Sequence, residues 1–240
     1  MDLHQPRSAE FFPGSPIAMG AGANSDFSST LSAGARAALM ASSREALSQL
    51  LELGDTQDSF ANFVNQLVSP VARELGEAWV DDRLSFSDVT IGMARLQTAV
   101  QKFKMPVSST NTAPPFVGRV FLASLIDTQH TLGASVAARA FSDAQWDVLQ
   151  LEKPDLSDAA ISYLRLTPVD LIAIGVGTTD RADDAKLAVK RLRASAPRAQ
   201  IYLAGPAVSL APDLFQECGA DIVGGDVFEI AKWQHRSVAA

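Results

Sequence analysis

Apolar positions along the chain follow two different periods. Between about Ser32 and Met105 they recur at helical spacing. Ala37, Leu39, Met40, Leu47, Leu50 and Leu51 form a first stripe, which Gly54-Asp55 breaks. Phe60, Phe63, Val64, Leu67 and Val68 repeat at i, i+3, i+4, and Pro70 opens a third helix over 71–80. Ser85-Phe86-Ser87-Asp88 has the form of a capping box ahead of a fourth helix, whose stripe is Val89, Met93, Leu96, Val100 and Phe103. Four helices with short joints predict a small bundle.

From Val117 the period changes. Strand-like apolar runs at 118–126, 146–151, 169–176, 200–204 and 221–224 alternate with helical runs near 131–144, 156–166, 181–196, 208–218 and 226–234. That alternation predicts an α/β fold: a doubly wound, flavodoxin/Rossmann-like sheet of five parallel strands in the order 2-1-3-4-5. Residues 1–31 are rich in Gly, Ser, Pro and Asn without a hydrophobic period and read as a flexible arm; 106–116 read as a linker. The expected organisation is an arm (1–31), a helical cap (32–105), a linker (106–116) and a Rossmann-like domain (117–240).

Sheets of this kind bind ligands beyond the carboxyl ends of their strands, at the switch point between strands 1 and 3. His130 falls there, after the first strand and just ahead of an Ala-rich helix. Gly133 allows close backbone approach to it. The facing loop is Gly175-Val176-Gly177-Thr178-Thr179, with Gly205 after the fourth strand and Gly224-Gly225 after the fifth. Small residues at successive strand ends describe a deep slot with one imidazole at its mouth. Such a slot suits a large, flat, metal-bearing cofactor with a long tail, although glycines at strand ends also serve plain tight turns.

Composition narrows the partners. The 240 residues are 47% hydrophobic, enough to bury a sizeable core, and no apolar run reaches membrane-spanning length. The net charge of −7 argues against a surface that grips nucleic-acid phosphates and permits docking on a basic protein. One cysteine, Cys218, excludes an internal disulfide framework and a multi-Cys zinc site, and the expected compartment is the cytoplasm. Nucleophile-elbow, P-loop and HExxH patterns are absent from the sequence.

Two segments carry a resemblance. His130-Thr131-Leu132-Gly133 resembles the His-x-x-Gly of cobalamin-binding domains, and Leu75-Gly76-Glu77-Ala78-Trp79 resembles the Leu-Gly-x-x-Trp of their helical cap. Within that superfamily, the Gln129–Gly133 run and the segment from Trp79 through 84–90 look most like the AerR/PpaA group of cobalamin-linked antirepressors of photosynthesis genes. The resemblance implies His130 as lower axial ligand to cobalt, with the cofactor's displaced nucleotide tail in the sheet slot and Trp79 over the corrin. It implies cofactor contacts from Thr131, Gly133, Gly175, Val176, Gly177, Thr178, Thr179, Gly205, Pro206, Gly224 and Gly225. It also implies a non-enzymatic regulator that binds a DNA-bound repressor of the PpsR/CrtJ type and does not itself read DNA.

This chain departs from the family pattern in several places. The common motif has Asp two residues before the histidine, where Thr128 stands; Asp127 or Asp180 is left to serve the imidazole. The usual Ser-x-Leu after strand 3 aligns with Gly175-Val176-Gly177, leaving Thr178 or Thr179 to supply a hydroxyl. The usual Gly-Gly after strand 4 aligns with Gly205-Pro206. Where adenosylcobalamin photoreceptors carry Glu-His about ten residues after the cap Trp, Val89 and Thr90 stand here. An upper-face histidine would then have to come from His4 or a partner. An aquo- or hydroxocobalamin form is expected beside the adenosyl form.

Other readings remain open: a corrinoid methyl carrier of similar architecture, against which Thr128 counts; a haem-binding sensor on the same fold, with His130 on iron; and a cofactor-free interaction module. The cluster Lys186, Lys190, Arg191, Arg193 and Arg198 reads as a partner patch or, preferably, as a solvated face balanced by Asp180, Asp183 and Asp184 at the helix start. Cys218 is expected to be buried and inert, and Asp221 and Asp226 to be strand-edge and helix-cap residues.

Overall fold

The computed structural model describes residues 48, 50–52, 57, 59–103, 115–125 and 131–232. The arm with His4, most of the first predicted helix, the linker up to position 114, and Asp127, Thr128, Gln129 and His130 lie outside the described residues.

Helix α1 runs from Phe60 to Val80 as one rod. It has an α-helical start (Phe60–Phe63), a π-helical segment (Val64–Val68) and a second α-helical stretch (Ser69–Val80). The joint expected at Pro70 is therefore not there, and the second and third predicted helices are a single element. Proline has no N–H for the carbonyl four residues back, and its ring crowds that turn. The π segment widens the turn, with the Ser69 amide bonded to the Val64 carbonyl five residues back, so the rod passes Pro70 unbroken.

The rod ends in a Schellman motif: the Arg83 amide reaches the Ala78 carbonyl at 2.8 Å and the Asp82 amide reaches that of Trp79 at 3.1 Å. Asp82 takes the left-handed position, with φ 55°. Glycine there is expected to stabilise the fold by about 0.5–1 kcal/mol, read as a rise of a few degrees in Tm of Asp82→Gly.

Helix α2 (Phe86–Lys102) begins with the expected capping box. The Ser85 hydroxyl accepts from the Asp88 amide at 3.2 Å, and the Asp88 carboxylate accepts from the Ser85 amide at 3.1 Å. Hydrogen bonds from the Ser85 hydroxyl and amide hold the Asp88 carboxyl below its ordinary value. This cap is thus complete above the ordinary carboxylate range and is lost as pH falls through the folded value.

The sheet consists of β1 (Gly118–Ser124), β2 (Trp146–Asp155), β3 (Leu171–Gly175), β4 (Gln200–Ala204) and β5 (Ile222–Val223), all pairs parallel, in the predicted order β2-β1-β3-β4-β5. Between them run α3 (Thr131–Asp143), α4 (Asp158–Leu166), α5 (Ala182–Ser195), α6 (Pro206–Leu210) and α7 (Asp213–Gln216), with α8 (Val227–Ala231) last. The single helix expected over 208–218 is split in two, because Pro212 cannot continue the first piece. Strand β2 extends past its predicted end at 151: after a register shift, Ser124 pairs with Asp155.

Strand residues alternate between two cores. Phe121, Ala123, Ile172, Ile174, Ile201 and Leu203 bury against α4, α5 and α7. Val120, Leu122, Leu171, Ala173 and Tyr202 bury against α3, α8 and the cap. The cap and this sheet face therefore share one core. Its centre is aromatic: Phe63 stacks on Phe103 at 4.7 Å, and Phe60 lies 5.5 Å from Phe103 and 5.9 Å from Phe228 of α8. The Arg139 guanidinium covers Phe60 at 5.3 Å and donates to the Phe103 carbonyl at 3.0 Å. Among the described residues no helix is long and apolar enough to cross a membrane.

Candidate functional site

Paired positions of parallel strands share a face, so the register maps the floor of the slot. On the cap side, the row at the carboxyl edge is Ser124, Gly175 and Ala204; the row beneath it is Leu122, Ala173 and Tyr202. Strand β3 thus contributes only small side chains, Ala173 and Gly175, to a trough walled by Leu122 on one side and Tyr202 on the other. A Cβ on Gly175 meets only the Ala123 carbonyl oxygen, at 3.9 Å. Of these strand residues only Gly175 is among the candidates read from the sequence; Leu122, Ser124, Ala173, Tyr202 and Ala204 are not. The signal was present in the alternation of large and small residues over 172–175, Ile-Ala-Ile-Gly.

Four loops close the edge. Thr131 opens α3 directly after His130. Gly133 is exposed, and a Cβ on it meets nothing within 4 Å. Behind β3, Gly177, Thr178 and Thr179 are partly buried, and Thr178 makes no side-chain capping hydrogen bond. Val176 is different: its side chain is buried in the opposite core. Its backbone is the part that matters here, since its amide donates to the Ala204 carbonyl at 2.8 Å and its carbonyl accepts from Ala207 at 3.3 Å. Gly205 crosses Val176 so closely that a Cβ would lie 2.5 Å from the Val176 oxygen. Pro206 is exposed at the start of α6. Gly224 and Gly225 both have positive φ, 76° and 96°.

The cap reaches over this edge. Gln97 donates to Ser135 at 3.4 Å and Arg139 donates to the Phe103 carbonyl, so α2 and α3 run parallel. Position 93 is then level with the start of α3, and the segment 86–92 stands beyond it by roughly 10 Å. Helix α1 packs on that segment through Leu75, which would touch a Cβ on Gly92 at 2.9 Å. Trp79, one turn further along α1, is partly buried and packs at the margin of the cap core on this overhang.

A family model described as "B12 binding domain" matches residues 118–231. An uncharacterized 20.5 kDa protein in the bchF-crtJ intergenic region of Rhodobacter capsulatus is 30% identical over 161 residues, 67% of this chain and 83% of that protein. This chain belongs to the B12-binding family. The fold agrees: the Methanosarcina barkeri monomethylamine corrinoid protein superposes with a TM-score of 0.66 at 12% identity, over 85% of this chain and 96% of that one.

The residues present fit what a B12-binding domain holds. A glycine inside a helix costs about 1 kcal/mol relative to alanine, and the described neighbours of Gly133 give no reason for one. Among the described residues nothing comes within 4 Å of a Cβ on Gly133, which leaves room for a flat ligand, and the small side chains of Ala173 and Gly175 suit a tail. Gly133→Leu is expected to leave the melting temperature unchanged or raised while weakening corrinoid binding at least about tenfold. A spectral titration beside a thermal melt checks both.

The remaining candidates fall into structural roles or onto the surface. Asp180 is exposed on the turn Thr179–Arg181. Asp226 caps α8, accepting from the Phe228 amide at 2.9 Å, and Asp221 accepts from the Ile201 amide at 2.7 Å, as expected. The basic cluster is divided. Arg193 pairs with Asp221 at 2.6 Å and donates to the carbonyls of Ala199 and Gly219; Arg191 pairs with Asp158; Lys186, Lys190 and Arg198 are exposed. Cys218 is buried, and that burial pushes its thiol above the ordinary value.

Proposed function

We propose that this chain is a cobalamin-dependent transcriptional regulator, responsive to light or redox state, that acts as an antirepressor by binding a DNA-bound repressor of the PpsR/CrtJ type. It is a sensor in this reading and not an enzyme. The observation that carries the cofactor half is the run of small residues, Ser124, Ala173, Gly175 and Ala204, on the cap-facing side of the sheet toward its carboxyl edge. The relative in the bchF-crtJ region supports the regulatory half, since its gene neighbour bears the name of that repressor class.

His130 would hold the metal, Gly133 and the four loops would seat the ring and tail, and Trp79 would cover the ring. When bound, the cofactor would supply a metal centre whose ligand exchange responds to light or redox state. The chain's own contribution is to hold one face, exclude water from the trough and present the cap tip, Val80 to Phe86, to a partner.

A second reading is a corrinoid methyl carrier, favoured by the likeness in fold to the monomethylamine corrinoid protein. The replacement of the usual Asp by Thr128 weighs against it. Haem in the same slot is the third.

Absorption spectra of the protein purified with cobalamin, in dark and light, separate these. Corrin bands that survive gel filtration support the first two readings, and a Soret band supports haem. Co-purification with the repressor, changed by light or reductant, supports the sensor; methyl transfer from a donor through a partner methyltransferase supports the carrier.

A further inference from the structure

Tyr202 is the bulky polar side chain beside Ala173 on the cap-facing side of the sheet. It belongs to β4, faces the cap-side core and is 1% exposed. Its register partner across β3 is Ala173, so its ring forms the trough wall on the β5 side. Its hydroxyl crosses past β5 and donates to the Gly225 carbonyl at 3.2 Å.

That bond falls on a glycine turn of the rim. Gly224 and Gly225 are consecutive and both left-handed, and glycine has the greatest backbone freedom to lose. The turn is tied down by three bonds: the Gly224 amide to the Leu203 carbonyl at 2.9 Å, the Asp226 cap on α8, and Tyr202. Only the last links the turn to the trough wall itself.

We infer that Tyr202 is a positioning residue for the nucleotide tail of a corrinoid, its ring setting the width of the trough and its hydroxyl latching the Gly224-Gly225 turn at the trough's mouth. This rests on the cofactor assignment above and adds a specificity element to it. A corrinoid with a lower nucleotide is favoured over one without, because only the former uses the trough. Burial, with a smaller contribution from Asp226, pushes the Tyr202 phenol up to about 12, so the hydroxyl keeps its proton and remains a donor at physiological pH.

The test compares cobalamin with dicyanocobinamide, a corrinoid that lacks the nucleotide tail, on the full chain and on Tyr202→Phe. Phenylalanine keeps the ring, and the exposed Gly225 carbonyl can turn to water, so folding survives; thermal melts verify it. Loss of one neutral hydrogen bond predicts cobalamin binding weaker by about three- to tenfold, with cobinamide binding unchanged. Tyr202→Leu, which also removes the wall, is expected to weaken cobalamin further and again to spare cobinamide. Equal loss for both ligands, or no loss for cobalamin, overturns the inference while leaving the cofactor assignment standing. Wild-type protein that binds neither ligand removes both.

Discussion

Gly205→Ala is expected to destabilise the protein by roughly 3–5 kcal/mol, read as a fall in Tm on the order of 10 °C. Two independent effects combine. Gly205 sits at φ 109° and ψ 175°, a region that essentially only glycine occupies. In addition, an added Cβ would lie 2.5 Å from the Val176 oxygen and 2.9 Å from its nitrogen. Both contacts are to backbone, so no rotamer change relieves them. Val176 is fixed in turn by its bonds to Ala204 and Ala207, and its side chain is locked in the core behind the sheet. Relief would require the loops after β3 and β4 to separate, and these flank the trough. The variant is therefore expected to lose corrinoid binding along with stability. A thermal melt and a spectral titration at low temperature measure the two losses separately.

His130→Ala is expected to weaken cobalamin binding by on the order of 100-fold or more and to change the corrin absorption bands of whatever remains bound. Removing a residue that merely supports a metal ligand typically weakens binding by 10–100-fold, and removing the ligand itself lies at or beyond the upper end. Stability of the protein without ligand should stay within about 0.5 kcal/mol of wild type. Added free imidazole should restore part of the wild-type spectrum. A variant whose bands and affinity match wild type would exclude His130 as the ligand and would direct attention to another group on the slot.

The central strands β1, β3 and β4 were legible because they are buried on both faces and so read as short, continuous apolar runs. The Ser85 capping box and the Asp226 cap were legible because each needs only local sequence. The continuous α1 rod was not. Proline inside a periodic stretch normally marks a boundary, and the π segment that absorbs Pro70 leaves no compositional trace. The extension of β2 was hidden for a different reason: residues 152–155 are mostly polar, and their pairing follows from a register shift against β1.

The candidate site was legible at its rim and not at its floor. Glycines after strand ends announce themselves, whereas Ala173 and Tyr202 become neighbours only once β3 and β4 are aligned. Val176 was chosen for its place in a glycine-rich loop; its side chain faces the opposite core because strand alternation continues one residue past β3.

The aromatic cluster of Phe60, Phe63, Phe103 and Phe228 has a mechanical meaning. A lid that swung open on a hinge would drag these rings into water. The α1–α2 hairpin and the sheet are accordingly expected to melt in a single cooperative step, with amides in both halves exchanging at a common global rate. A signal arriving at the trough then has no door to move; it can only tighten or loosen the whole body, and the cap tip beyond α3 is where that change in stiffness reaches the surface.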